Sequence, residues 1–240
     1  VDFALRTQSP VLQITDVALP RATIQTTRGQ ARTWEDRIAR ICEQIHAARG
    51  AGAGPLLVIT YMLFAGRLRA RWRKDPRFRV LHYGALRGES HMDISAAVLV
   101  GHPRPRLDDC LLDAAAIWRG EDIDGGTTDV WRPYLEAGHE GDDESLGVEV
   151  LEPSDPRVRA IWKSRSDAEQ QQAVHRGRPG RRSDCPTYVL TQVPLHREYR
   201  EAVQLGTLRV LEGKAKVQMT VAGKVEKVAR AIRKKLGWVS

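Results

Sequence analysis

An α/β fold built on a central, mainly parallel sheet, with a short basic C-terminal appendage, is what the sequence predicts. Three observations carry it. Strand-like apolar runs alternate with helical periodicity along most of the chain, which is the pattern of repeated βα units. Two of those runs, around residues 56–59 (LLVI) and 94–103 (ISAAVLVGHP), are too continuously apolar for a strand with one wet face; such strands belong to parallel sheets covered by helices on both sides. The composition then changes at about residue 205, beyond which the chain carries many Lys and no Asp.

Taken in order, residues 10–27 alternate in places and hold β-branched side chains, enough for one or two strands. A polar stretch leads to Thr33, which with Asp36 three residues later reads as a helix cap. Ile38, Ile41, Cys42 and Ile45 then fall on one helical face, and Gly50 ends the run. Residues 56–59 are the next strand, 63–74 a second helix, and RFRVLHYG a strand ending at Gly84. After a polar loop, the 94–103 run is a strand and DDCLLDAAAIWRG a helix. Residues 120–143, rich in Gly and acidic side chains, read as an exposed loop, and SLGVEVLEP as a short strand. A helix over 155–174 follows, capped by Ser154 or Asp155 with Pro156 in its first turn. HRGRPGRRSDCP is a loop, and TYVLTQVPL the last strand of the main sheet. In the tail, Val225, Val228, Ala229, Ile232 and Leu236 have helical spacing. The expected organisation is therefore one domain over residues 1–204 and a basic, partly helical appendage, or the start of a further domain, over 205–240.

The 240 residues allow one large domain with a small appendage. Lys and Arg number 38 against 30 Asp and Glu, a formal net charge of +8 with Arg dominant, and the isoelectric point is near 9.7. That balance suits a phosphate-bearing partner. Cys42, Cys110 and Cys185 are far apart and show no CxxC spacing, so neither a disulfide framework nor a zinc site is expected and a reducing, cytoplasmic setting fits. No apolar run is long enough to span a membrane. The N-terminus lacks the charged and apolar regions of a signal peptide and begins without Met, which points to a fragment or a processed chain.

The chain contains no GxxxxGK[ST], GxSxG, HExxH or GxGxxG, so tight binding of nucleoside triphosphate by this chain alone is not expected. His82, His91 and His102 lie at or near strand ends, but nothing in their spacing demands a metal, and hydrogen-bonding roles are expected. Trp72, Trp118, Trp131 and Trp162 are expected to pack. Ligands of open α/β sheets sit at the carboxyl ends of strands, which directs attention to residues 84–93 and 101–106. The densest local feature is EQQQAVHRGRPGRR, residues 169–182. A helix that ends in Arg176, Gly177, Arg178 and Pro179 presents guanidinium groups from a rigid element, as an arginine finger does toward a transferring phosphoryl group.

Gln172, Arg176, Arg178 and Pro179, as Gln-x-x-x-Arg-x-Arg-Pro, resemble motif VI of superfamily 2 helicases and translocases. PLLVITYMLFAGRLR resembles the strand and helix of motif IV. HYGALRGESHMDISAAVLVGHPRP resembles the motif V variant of phage- and plasmid-type members, and TYVLTQVPL the strand after motif VI. Order and spacing agree over about residues 56–195. The resemblance implies a three-layer RecA-like lobe, the second of two, with ATP and magnesium bound mainly by a first lobe that this chain lacks. It implies that Gln172 and Arg176 face the nucleotide, that Arg178 is a further finger, and that Asp93 lies near the cleft. It assigns Arg87, Gly88, Glu89 and Ser90 to nucleic-acid backbone, with Thr60 and Tyr61 contacting phosphate or base, single-stranded DNA being the expected strand. The chain departs from the usual motif VI: Pro179 stands where the second Arg is usual, and His175 replaces a Gly. The rival expectations are a non-catalytic nucleic-acid-binding module that kept the fold, and a Rossmann-type enzyme acting on small molecules.

Overall fold

The protein is described by a computed structural model that covers residues 8–16, 28–86, 93–134, 147–178, 181–195 and 203–206. In chain order the elements are β1 (Val11–Ile14), α1 (Arg28–Ala48), β2 (Leu56–Thr60), α2 (Met62–Arg71), β3 (Phe78–His82), β4 (Ala96–Val100), α3 (Leu107–Ile117), β5 (Thr127–Pro133), β6 (Gly147–Pro153), α4 (Pro156–His175), β7 (Thr187–Leu190) and β8 (Val203–Gly206).

Six strands form one sheet in the order β3-β2-β4-β7-β1-β8, and every pairing is parallel. The expected parallel α/β sheet is therefore present. Its cause is visible in β2 and β4, which are buried at every position. Successive side chains of a strand point to opposite faces. Leu56 and Val58 accordingly meet Ile38, Ile41, Cys42 and Ile45 of α1 and Phe64 and Leu68 of α2, while Leu57 and Ile59 belong to the cluster that contains Ala173 and Val174 of α4. Each of these fully buried aliphatic side chains contributes roughly 1.5–3 kcal/mol by leaving water. A smaller apolar cluster joins α3 to α4 through Cys110, Ala114, Val158 and Trp162.

Most elements fall where the sequence places them, with four differences. First, α1 begins at Arg28, so Thr33 lies inside the helix instead of capping it; the residues before it are mainly good helix formers, and the helix runs on past its buried stripe. Second, the segment expected as a loop over residues 120–143 contains β5, paired antiparallel with β6 from Thr127↔Pro153 to Pro133↔Gly147. Its strand character has little hydrophobic signature because most of β5 is exposed; pairing with β6 and the bidentate Arg132–Glu152 contact, 2.8 Å at both oxygens, hold it. Third, β7 is not the last strand of the main sheet, because β8 follows it in the chain and joins the same sheet; in space β7 lies between β4 and β1. Fourth, β8 closes the edge beside β1 and straddles the expected boundary at residue 204. Residues 207–240 of the appendage expected over 205–240 lie outside the described residues, as do residues 17–27.

At α4 the sequence reading holds in detail. Asp155 is the N-cap, accepts the Arg157 backbone N–H at 2.9 Å, and is followed by Pro156 in the first turn. The Arg157 side chain bonds the same carboxylate and holds its pKa well below the usual range.

Candidate functional site

A helix that crosses between parallel strands runs antiparallel to them, so the C-terminus of α4 opens at the amino edge of the sheet. The contacts agree. Gly177 packs against Thr187, the first residue of β7, and Ala97 of β4. The Arg182 Nη1 donates to the Ile94 carbonyl just before β4, at 2.8 Å. The arginine turn thus lies at the end of the strands opposite to the carboxyl ends, where the general rule for open sheets places a ligand.

Gln172 and Arg176 are spaced four apart, on one face of α4, and both are half-buried. Arg176 is the C-cap, its N–H reaching Ala173 O and Val174 O. Arg178 has φ +52, the sole positive φ outside glycine among the described residues. A side chain in that region costs about 1 kcal/mol or more, and the cost is offset locally: Arg178 N–H donates to His175 O, and Arg178 O accepts from Arg181 and Arg182. The result is a hydrogen-bonded turn that places Arg176, Arg178, Arg181 and Arg182 at the end of a helix, where the negative end of the helix dipole favours cations.

Asp93 reaches the same edge from the other side. It ends the loop that leaves β3 and precedes β4. A Cβ on Gly54 would sit 2.0 Å from its carbonyl oxygen, so only glycine allows the two backbones to cross there. Its carboxylate forms a bidentate pair with Arg79, at 2.8 and 2.6 Å, and both partners are about half exposed. Arg182 pairs with Asp184 at 3.0 and 2.8 Å, which lowers the Asp184 pKa, and Arg49 donates to the Asp184 carbonyl. The amino edge is thus a rim of arginines with two carboxylates already engaged by arginine.

The carboxyl edge is built differently. Thr60 is fully buried and its hydroxyl donates to Val100 O at 3.2 Å. Tyr61 is 7% exposed; its hydroxyl donates to His102 O at 2.9 Å and accepts from His102 N–H at 3.0 Å. Its ring lies beneath Gly101, where a Cβ would come within 2.6 Å and where φ is +82. Thr60 and Tyr61 therefore do not face a strand; they pin the turn after β4, and the exposed side chains at this point are Met62 and Leu63.

His102 completes that turn. It is buried, with Nδ1 3.1 Å from Gln170 Nε2 and Nε2 2.8 Å from Ser166 Oγ. The ring is thus hydrogen-bonded at both nitrogens, and the Ser166 hydroxyl also donates to Pro103 O. Burial first, then Arg104 and Arg132, push its pKa down to about 3. The imidazole is a neutral hydrogen-bonding element, as expected for it. His82 is also shifted down, chiefly by burial. No group of three His, Cys, Asp or Glu suited to a metal occurs among the described residues.

Arg87, Gly88, Glu89, Ser90 and His91 lie outside the described residues. Of the four tryptophans expected to pack, Trp72 and Trp162 are buried and Trp118 packs beside the α3–α4 cluster, but Trp131 is 47% exposed on the β5–β6 hairpin. Two features went unread in the sequence: the Ser166–Gln170–His102 network, and the Glu169 carboxylate, which accepts the Gly84 backbone N–H at 2.5 Å. The Ser166/Gln170 spacing of four was the available signal, but its partner is more than sixty residues away. No helix among the described residues is long and apolar enough to cross a membrane. No family model, curated protein or solved structure matches the chain.

Proposed function

We propose that this chain is the second, RecA-like lobe of an ATP-dependent nucleic-acid helicase or translocase, supplying the arginine finger and part of the strand-binding surface. One observation carries the reading: α4 brings Gln172, Arg176 and Arg178 to the edge of the sheet that Asp93 also reaches, so residues matched to the nucleotide cleft from two separate motifs converge in space. Convergence of this kind is not required of an arbitrary basic loop.

Nucleoside triphosphate, held with magnesium mainly by a first lobe that carries the phosphate loop, would supply the transferring phosphoryl group. The residues of this chain fit the remainder of that task. Arg176, at the end of a helix fastened to the sheet, offers planar donors for charge that grows on the phosphoryl oxygens. Arg178, held in a left-handed turn, is the second donor. Gln172 lies one turn before Arg176 and orients by hydrogen bonding instead of charge. Asp93, ion-paired to Arg79, sits where the loop that begins at Gly84 returns to the cleft. That loop, with Arg87 and Gly88, is the assigned grip on nucleic-acid backbone, and single-stranded DNA is the proposed strand. Thr60 and Tyr61 are not part of the grip; they shape the edge beside it.

Two measurements test the reading. The chain should bind a labelled oligodeoxythymidine with an affinity that falls steeply between about 50 and 200 mM salt. Joined to a first lobe with a phosphate loop, it should support strand-stimulated ATP hydrolysis that drops by roughly 10³-fold or more in Arg176→Ala. Strand binding without any hydrolysis would move the reading to a non-catalytic binding module. Absence of both would end it.

A further inference from the structure

We propose that the outward face of the β5–β6 hairpin is the docking site for a C-terminal segment of this same chain, residues 225–236. When one face of an antiparallel pair is covered, the other is expected to be polar. Paired residues share a face, as do residues two apart, so the register Asp129↔Leu151 and Trp131↔Glu149 puts these four side chains together. All four are exposed. The opposite face carries Val130, Val150 and the Arg132–Glu152 pair, with Val150 and Glu152 buried. Yet Trp131 is 47% exposed and Leu151 50%. The indole lies across Gly147, where a Cβ would come within 2.8 Å of it. The outward face is thus an apolar strip of Gly147, Trp131 and Leu151, with the carboxylates of Asp129 and Glu149 beside it.

Charge identifies the occupant. Residues 107–155 hold fifteen Asp and Glu against two Arg and no Lys, so a nucleic-acid strand is repelled there. Residues 207–240 hold nine Lys and Arg against two Glu. Within them Val225, Val228, Ala229, Ile232 and Leu236 recur at helical spacing. In a helix they make one apolar stripe, bordered by Lys224, Arg233 and Lys235. An apolar stripe bordered by cations complements an apolar strip bordered by carboxylates. The dimensions agree: residues 225–236 as a helix measure about 18 Å, and the seven residues of β5 measure about 23 Å. The chain also leaves the main sheet at a suitable place. Gly206 and Leu190 both pair with Ile14, which puts them about 10 Å apart at the carboxyl edge. Tyr134, the residue after β5, donates its hydroxyl to Gln192 O at 2.9 Å at that same edge. The eighteen residues between Gly206 and Val225 can span up to about 60 Å, enough to reach the hairpin.

The test uses the full 240-residue chain. A carbodiimide joins a Lys amine to an adjacent carboxylate without a spacer. Applied to a mixture of isotope-labelled and unlabelled wild-type chains, it should link Lys224 or Lys235 to Asp129 or Glu149, with both peptides of each link from one chain by mass spectrometry. Links of mixed label place the segment on a second copy and overturn the proposal, as does the absence of links to Asp129 and Glu149. Hydrogen exchange gives the second readout. Trp131→Ala combined with Leu151→Ser should quicken exchange in residues 225–236 roughly tenfold or more, as loss of a central aromatic does in an interface. Added salt should quicken it as well. Exchange in β2 and β4 should stay at the wild-type level, because both substituted side chains are exposed. Unchanged exchange at 225–236 in that variant overturns the proposal, and so does wild-type exchange there as fast as in the isolated peptide. A variant that misfolds leaves the decision to the wild-type links.

Discussion

Lowering the pH from 7 to 5 should destabilise the protein by about 2 kcal/mol through His102 alone. The folded imidazole has its pKa pushed to about 3 against an ordinary 6.5, because it is buried and flanked by Arg104 and Arg132. Above 6.5 the ring is neutral in both states, and its contribution to stability is complete. Below 6.5 the unfolded chain takes up a proton that the folded protein excludes, so stability falls by about 1.4 kcal/mol per pH unit until the folded value is reached. From 6.5 to 5 that is about 2 kcal/mol, which for a domain of this size lowers the melting temperature by roughly 4–8 °C. Urea unfolding at both pH values gives the quantity directly. The comparison is with His102→Gln, which retains a side-chain amide toward Ser166 and cannot titrate. The variant has its own cost at pH 7, but its loss between pH 7 and 5 should be smaller than the wild type's by about 2 kcal/mol. His82 shifts in the same direction and contributes equally to both proteins, and the lowered carboxylates Asp155 and Asp184 titrate below this window. Parallel losses in wild type and variant would refute the reasoning and place a charged or solvated imidazole at that turn.

Two further outcomes follow from the site. Tyr61→Phe removes the partner of both the N–H and the carbonyl of His102 and should cost about 1–3 kcal/mol in denaturant unfolding with strand affinity unchanged; weaker strand binding at unaltered stability would instead return Tyr61 to the binding surface. Gly177→Ala would place a Cβ 2.5 Å from the buried Thr187 hydroxyl and should destabilise by about 1–3 kcal/mol. Adding Thr187→Ala should recover part of that loss, and strictly additive effects would show that the two residues are not in contact.

The order of elements and the parallel sheet were legible in the sequence because they rest on local pattern. Apolar runs at residues 56–59 and 96–100 have no wet face, and Ile38, Ile41, Cys42 and Ile45 repeat with the period of a helix. The start of α4 was legible because an N-cap is a contact between near neighbours, Asp155 and Arg157. The arginine cluster at its end was visible as composition for the same reason. What needed the tertiary structure is whatever depends on partners distant in sequence. The β5 strand is mostly exposed, so no hydrophobic period marks it, and pairing with β6 makes it a strand. The strand order places β7 inside the sheet, because β1 and β8 close the edge beyond it. Thr60 and Tyr61 read as exposed hydroxyls at a strand end, yet Val100 and His102, about forty residues away, take those hydroxyls into the interior. The edge to which α4 delivers Arg176 and Arg178 was likewise decided by the fold: a helix spelled out in the sequence acquires a direction relative to the strands only when its buried face, Ala173 and Val174, packs against Leu57, Ala97 and Val189.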